Sequence, residues 1–199
     1  GEVRVNGMAV HAPGPDLAMV FQEYALFPWM TVEKNIAFGL EIKKLPRAQI
    51  QEKVSALLHM LKLQEFGDRY PKDLSGGMRQ RVAIARVLAL DSPVMLMDEP
   101  FGALDALTKS ALHEELMQMW SSDQQTEMVL MVTHDIDEAI YLSDRIIVLN
   151  NGPASTVGEI IDVPIPRPRD KRAILHTPEW TEIKERLLYL LTVAYATPA

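Results

Sequence analysis

An unbroken apolar run, Val94-Met95-Leu96-Met97, stops abruptly at Asp98-Glu99-Pro100. An apolar stretch of strand length between two helical patterns reads as a strand buried on both faces, and such strands belong to parallel sheets covered by helices. Carboxylates at its carboxyl end stand where open α/β sheets bind ligands. Asp98 is placed to hold a hard cation such as Mg²⁺, directly or through water. Glu99, one residue on, is placed to orient and deprotonate a water for attack on a phosphoryl group. A pair of solvated acids in a turn is the plain alternative.

The surrounding pattern agrees with a layered α/β chain. Val3 to Val5 reads as a short strand entering a turn at Asn6-Gly7, and Leu17 to Phe21 as a buried strand. Apolar spacing predicts helices from Thr31, as N-cap, to Leu40 and from about Pro46 to Leu63. This middle stretch reads as an all-helical insertion. Beyond it the pattern alternates: a helix from Ser75 to about Leu90, a strand Val94 to Asp98, a helix from about Ala106 to Trp120 and a strand Met128 to Val132. A helix near Asp135 to Leu142 and strands at Ile146 to Leu149 and Thr156 to Ile161 follow. The sheet is expected to be mostly parallel. Pro164, Pro166 and Pro168 mark a boundary, after which Trp180, Ile183, Leu187, Leu190 and Leu191 place one apolar stripe on a last helix.

A second local signal precedes the acidic strand: Leu74-Ser75-Gly76-Gly77-Met78-Arg79-Gln80. Ser75 is an N-cap at the start of a long helix. Gly76 and Gly77 in the first turn let a bulky ligand approach backbone N–H groups at the positive end of the helix dipole, which makes an anion socket. A capped helix with a flexible start explains Ser-Gly-Gly equally well by itself, but not its place shortly before a strand that ends in two acids.

Composition removes several classes of function. Lys plus Arg number 20 against 27 Asp plus Glu, a net charge of −7 that disfavours nucleic acid as the partner. Cysteine is absent, which excludes disulfides, thiolate metal sites and a cysteine nucleophile. No apolar run approaches the roughly 18 residues needed to cross a bilayer.

Taken together, these residues resemble the nucleotide-binding subunits of ATP-binding cassette transporters. Leu74 to Gln80 is similar to their signature motif, Val94 to Pro100 to their Walker B strand, and Phe101-Gly102-Ala103-Leu104-Asp105 to the D-loop. Val20-Phe21-Gln22 looks like the Q-loop and Val132-Thr133-His134-Asp135 the switch-histidine segment, all in the family's order. The resemblance implies a P-loop NTPase-like sheet in a cassette domain over residues 1–162, with a helical subdomain at about 22–90 and a separate C-terminal segment over 163–199. It implies ATP and Mg²⁺ as ligands, with Asp98 and Gln22 toward the metal and Glu99, His134 and Gln22 in catalysis. Gln22 would also link the helical subdomain to the core; a core amide at a strand end is the alternative. His134 would hydrogen-bond the γ-phosphate and help to orient Glu99. Asp105 would cross to a second subunit, or else merely cap the following helix. Ser75, Gly76 and Gly77 would serve ATP held by the opposite subunit, so that dimerisation completes the site.

The sequence departs from the family pattern twice. Met78 replaces the commoner Gln of the signature, a mild change because the contacts depend on Ser75 and backbone groups. The phosphate-cradling G-x-x-x-x-G-K-[ST] loop is absent from the 199 residues. The expectation is therefore a chain lacking the N-terminal portion of its domain, with its own site incomplete. The resemblance further implies a second ATPase subunit, identical or different, integral-membrane permease subunits, a separate substrate-binding protein, and a peripheral place on the cytoplasmic face of the inner membrane. Tyr24, Phe27, Pro28 and Trp29 would anchor a permease helix, or else fill the subdomain core. The Phe27 to Val32 segment, the signature with Met78 and the tail Val163 to Asp170 together resemble the ATPases of nitrate, sulfonate, taurine and bicarbonate importers. Arg167, Arg169, Lys171 and Arg172 would meet an acidic surface or anionic headgroups, or else form a solvated face. Two rivals stand beside this: a catalytically incomplete partner that donates only its signature helix, and a soluble cassette ATPase of DNA repair or translation.

Overall fold

The computed structural model describes residues 1–12, 14, 16–122, 126–152 and 155–194. The chain divides into two compact units, Gly1–Glu115 with Ser122–Val132, and Leu116–Ser121 with Thr133–Ala199.

In the first unit, strands β1 (Arg4–Val5) and β2 (Met8–Ala9) form a hairpin. Its turn residues Asn6 and Gly7 take φ of 49° and 78°, the left-handed pair that a two-residue hairpin turn requires. The central sheet is built from β3 (Leu17–Val20), β4 (Val94–Asp98) and β5 (Met128–Val132), in that order and parallel. β4 is the middle strand, and its Val94, Met95 and Met97 are buried, as an apolar run flanked by helices requires. The predicted strand from Leu17 stops one residue early: Phe21 lies beyond it and is 47% exposed.

Between β3 and β4 the chain is helical. α1 (Val32–Ile42) starts at Thr31, whose hydroxyl accepts from the Lys34 amide, and α2 (Arg47–Met60) starts after Pro46. Val32, Ile36 and Leu40 line one face of α1 and are buried together with Leu57, Leu58, Leu61 and Leu63. Asn35 is a buried polar exception with full employment. Its side chain accepts from the Phe27 amide at 2.9 Å and donates to the carbonyls of Phe27, Met30 and Thr31, which fixes the aromatic loop onto α1. α3 (Gly76–Leu88) follows, capped by Ser75, and buries Val82, Ile84, Ala85 and Leu88. α4 (Ala106–Ser122) connects β4 to β5.

In the second unit, α5 (Ile136–Leu142) leads to an antiparallel pair, β6 (Arg145–Leu149) and β7 (Val157–Asp162). These strands pair with each other; the parallel ladder of the described residues is confined to β3, β4 and β5. The tail then forms α6 (Lys171–Ile174) and α7 (Pro178–Tyr189). Trp180, Ile183, Leu187 and Leu190 are buried as the stripe predicted, and α7 packs on α5. Leu191 departs from that stripe at 45% exposed, at its rim, where the helix continues as a π-turn over Leu190–Ala194. The final residues 195–199 of the predicted C-terminal segment lie outside the described residues. Among the described residues no helix is long and apolar enough to cross a membrane.

Candidate active site

Parallel register decides which residues share an edge. Val20 pairs with Met97 and Asp98 with Val132, so the ends of β3, β4 and β5 are level. Asp98 closes β4 half-buried, Glu99 follows it, and Gln22 stands in an exposed turn two residues past the end of β3. The sheet thus brings Gln22, Asp98 and Glu99 to one carboxyl edge.

The backbone at Glu99 is held rather than free. Its amide donates to the Val132 carbonyl at 3.0 Å, and its own carbonyl accepts from Gly102 at 3.2 Å. Between these bonds Glu99 takes a φ of 44°, a left-handed conformation that costs a non-glycine residue about 1–2 kcal/mol. The chain leaves the strand through this bend. It is then anchored by Phe101, which is fully buried and meets the His113 ring edge-on with centroids 4.6 Å apart.

The signature segment lies at the start of α3. Ser75 is exposed, and its hydroxyl accepts from the Met78 amide at 3.3 Å. The cap therefore occupies one first-turn donor and leaves the amides of Gly76 and Gly77 ahead of the first intrahelical bond, from Arg79 to the Ser75 carbonyl at 3.0 Å. The glycines also answer to packing. A Cβ at Gly77 would lie 3.3 Å from Leu104 Cδ2 and 3.5 Å from the Ala103 carbonyl oxygen, and one at Gly76 would lie 3.3 Å from the Tyr24 hydroxyl. Both neighbours matter to the site. Ala103 and Leu104 lead into Asp105, and Tyr24 leaves the turn that carries Gln22.

Asp105 caps α4: its carboxylate accepts from the amides of Leu107 at 3.1 Å and Thr108 at 3.0 Å. Hydrogen bonds from the Thr108 side chain and backbone hold this carboxyl below its usual range. The capping alternative is thus realised within the chain.

One linkage escaped the sequence reading. Arg79 and Arg86, seven residues apart on α3, both reach the segment after Gln22. The Arg79 guanidinium stands over the Tyr24 ring at 5.5 Å. Arg86 donates to the Ala25 carbonyl at 2.6 Å and the Tyr24 carbonyl at 3.3 Å, and lies 5.4 Å from the Phe27 ring. Burial lowers the Arg86 pKa, as expected where a guanidinium exchanges water for carbonyls. Tyr24 and Ala25 are themselves left-handed, at φ of 44° and 47°. The heptad spacing of the two arginines on one helix face was the available signal. Phe27 packs on Phe38 with centroids 4.5 Å apart, as filling of the subdomain core requires, whereas Trp29 is 71% exposed.

His134 belongs to the second unit, exposed in the loop before α5. The Asp135 amide donates to the Thr133 hydroxyl at 3.0 Å, and the Asp135 carboxylate accepts from Glu138 at 3.1 Å, so both chain neighbours of His134 are tied down. The tail arginines depart from expectation. Arg169 is withdrawn from the surface, whereas Arg167 stays partly exposed. Arg169 is 6% exposed, and both arginines donate to backbone carbonyls at the end of α5, which a helix terminus leaves without intrahelical donors.

A metal fits this edge only in part. Asp98 and Gln22 offer the hard oxygen donors that Mg²⁺ selects, but no cluster of three or more carboxylates or imidazoles forms among the described residues. That set suits an ion completed by phosphates and water rather than one caged by protein.

Comparison with known proteins bears on family and fold. A family model described as "ABC transporter" matches residues 1–102. The bicarbonate transport ATP-binding protein CmpC of Synechococcus elongatus is 47% identical over 193 residues, which cover 96% of this chain and 29% of CmpC. The nitrate import ATP-binding protein NrtD of the same organism is 42% identical over 198 residues, covering 98% of this chain and 72% of NrtD. Among solved structures, a dimeric post-hydrolysis state of the ATP-binding cassette MJ0796 bound to ADP and Pi superposes with a TM-score of 0.72. It is 31% identical and covers 82% of this chain and 73% of the other. The chain therefore spans under a third of CmpC and nearly three quarters of NrtD. A level edge of acids on a parallel sheet, a capped Ser-Gly-Gly helix and relatives matched along almost the whole sequence have one common explanation: the chain belongs to the ABC transporter family.

Proposed function

We propose that this chain is the catalytic part of an ATP-hydrolysing subunit that energises import of a small oxyanion through a separate permease. The observation that carries the reading is the position of Asp98 and Glu99 at the carboxyl end of the middle strand of a parallel sheet, in a member of this family. Glu99 accepts a proton from water as the water oxygen attacks the γ-phosphorus, and the bond to the departing ADP oxygen breaks. His134 and Gln22 hold the γ-phosphate and the water in line. Asp98 and Gln22 are the residues that would hold Mg²⁺, which supplies charge neutralisation on the phosphates when bound.

The phosphate-cradling loop is not among the 199 residues, so the reading concerns a protein in which other residues supply it. Ser75 and the amides of Gly76 and Gly77 serve the γ-phosphate of ATP held by a second subunit. Asp105 links the two sites. The dimeric cassette with ADP and Pi supports that arrangement. Relatives named for bicarbonate and nitrate support the oxyanion class. Exposed Trp29, Phe21 and Tyr70 support a permease contact on the helical part, with the subunit peripheral on the cytoplasmic face of the membrane and a substrate-binding protein on the other side.

The test is phosphate release by the full-length gene product with Glu99 changed to Gln. Turnover should fall about a hundredfold or more while ATP still binds, the scale expected for loss of a general base. Undiminished release would place the base elsewhere.

A further inference from the structure

Helix α5 is 7 residues long and ends without a glycine. A helix so short does not persist on its own, and its position is set by what holds its two ends. At the carboxyl end, the holding groups come from the tail. Arg169 donates from Nη1 to the carbonyls of Ile140 at 3.2 Å, Tyr141 at 2.8 Å and Ser143 at 2.8 Å, and from Nε to Ile165 at 3.0 Å. Arg167 donates from Nη2 to the carbonyl between them, that of Leu142, at 2.7 Å, and from Nε to the Asp144 carboxylate at 2.9 Å. Consecutive carbonyls from Ile140 to Ser143 are thus covered by two guanidinium groups. The Tyr141 hydroxyl donates back to the Arg169 carbonyl at 3.4 Å, and Lys171 lies over the Tyr141 ring at 5.3 Å.

Burying a guanidinium is unfavourable unless its donors are used, and here they are. Positive charge at a helix carboxyl end also opposes the dipole in the favourable sense. Burial and the neighbouring Arg167 charge lower the Arg169 pKa, and Asp144 opposes the shift. On its side, α5 is held by Lys184 of α7, 2.6 Å from the Asp137 carboxylate. At the amino end, the Asp135 cap and the Thr133 hydroxyl hold the two residues that flank His134. His134 is therefore mounted on a short rod whose far end is clamped by the tail.

We propose that Arg167 and Arg169 are positioning residues for His134: the tail motif fixes helix α5 and so sets how the imidazole is presented at the helix's other end. The inference rests on the reading of His134 as a γ-phosphate ligand.

The experiment is a double-mutant cycle on kcat in the full-length gene product, with Arg169→Ala, His134→Ala and the pair, and with Arg169→Lys as a variant that keeps the charge. Arg169→Ala should lower kcat about ten- to a hundredfold, as small misplacements of a catalytic group do, with KM for ATP little changed. Arg169→Lys should recover part of the loss, because an ammonium reaches one or two of the carbonyls. In the His134→Ala background, Arg169→Ala should have no further effect. An equal loss in both backgrounds, a rise in KM without a fall in kcat, or an unchanged kcat would each overturn the proposal. A His134→Ala enzyme with normal kcat would instead overturn the reading of His134 beneath it.

Discussion

Glu99 and Gly77 illustrate two ways in which a single residue is constrained. Glu99 is held in a left-handed bend by bonds to Val132 and Gly102, so its side chain leaves the strand in one direction. Gly77 is constrained by space. A Cβ there would meet Leu104 and Ala103, the two residues that lead into Asp105. Gly77→Ala should be nearly neutral in a urea melt, because about 1 kcal/mol of helix propensity offsets a contact that the tip of Leu104 can relieve. Gly77→Val should cost about 1–3 kcal/mol through overpacking against the carbonyl; an unchanged midpoint for Gly77→Val would contradict the packing account. At this scale the sequence was informative where residue type alone sets the chemistry. Asp98-Glu99-Pro100 after an apolar run admits few readings. It was uninformative where a contact joins distant segments: nothing local to Gly76 announces the Tyr24 hydroxyl.

Elements were legible in proportion to their caps. Thr31, Ser75, Asp135 and Thr177 each accept a hydrogen bond from the first turn that follows. Of these, Thr31 and Ser75 were read as caps from sequence. The role of the tail arginines was not legible. A run such as Arg-Pro-Arg looks solvated when its partners, the carbonyls ending α5, lie about 25 residues away, as for Arg167 and Leu142. Asp105 offers a pH test at this scale. Its folded pKa lies below the ordinary 3.8, so its stabilisation of α4 is complete above that value and is lost as pH falls through the lower, folded value. The Asp105 Cγ resonance should titrate with a midpoint below 3.8, and Asp105→Asn should keep the cap while removing this acid dependence. A midpoint at or above 3.8 would show that the capping bonds do not form.

For the whole molecule, the class was readable because β4 is apolar on both faces and helices flank it. The extent of the parallel sheet was less so. β6 and β7 pair antiparallel, and β6 alternates buried and exposed residues where β4 is largely buried, as a strand covered on one face does. β5 departs from burial on both faces. It ends the three-stranded sheet among the described residues, and one of its faces exposes Met128, Leu130 and Val132 by 50%, 48% and 56%. The central claim also belongs to this scale: one subunit's acidic strand end and another's Ser75 helix enclose one triphosphate. Sedimentation of the full-length Glu99→Gln protein with ATP, with and without Ser75→Glu, tests it most directly. The single variant should sediment as an ATP-dependent dimer, and the double variant should remain a monomer because a carboxylate at the helix start repels the γ-phosphate. Equal dimerisation of both would contradict the claim.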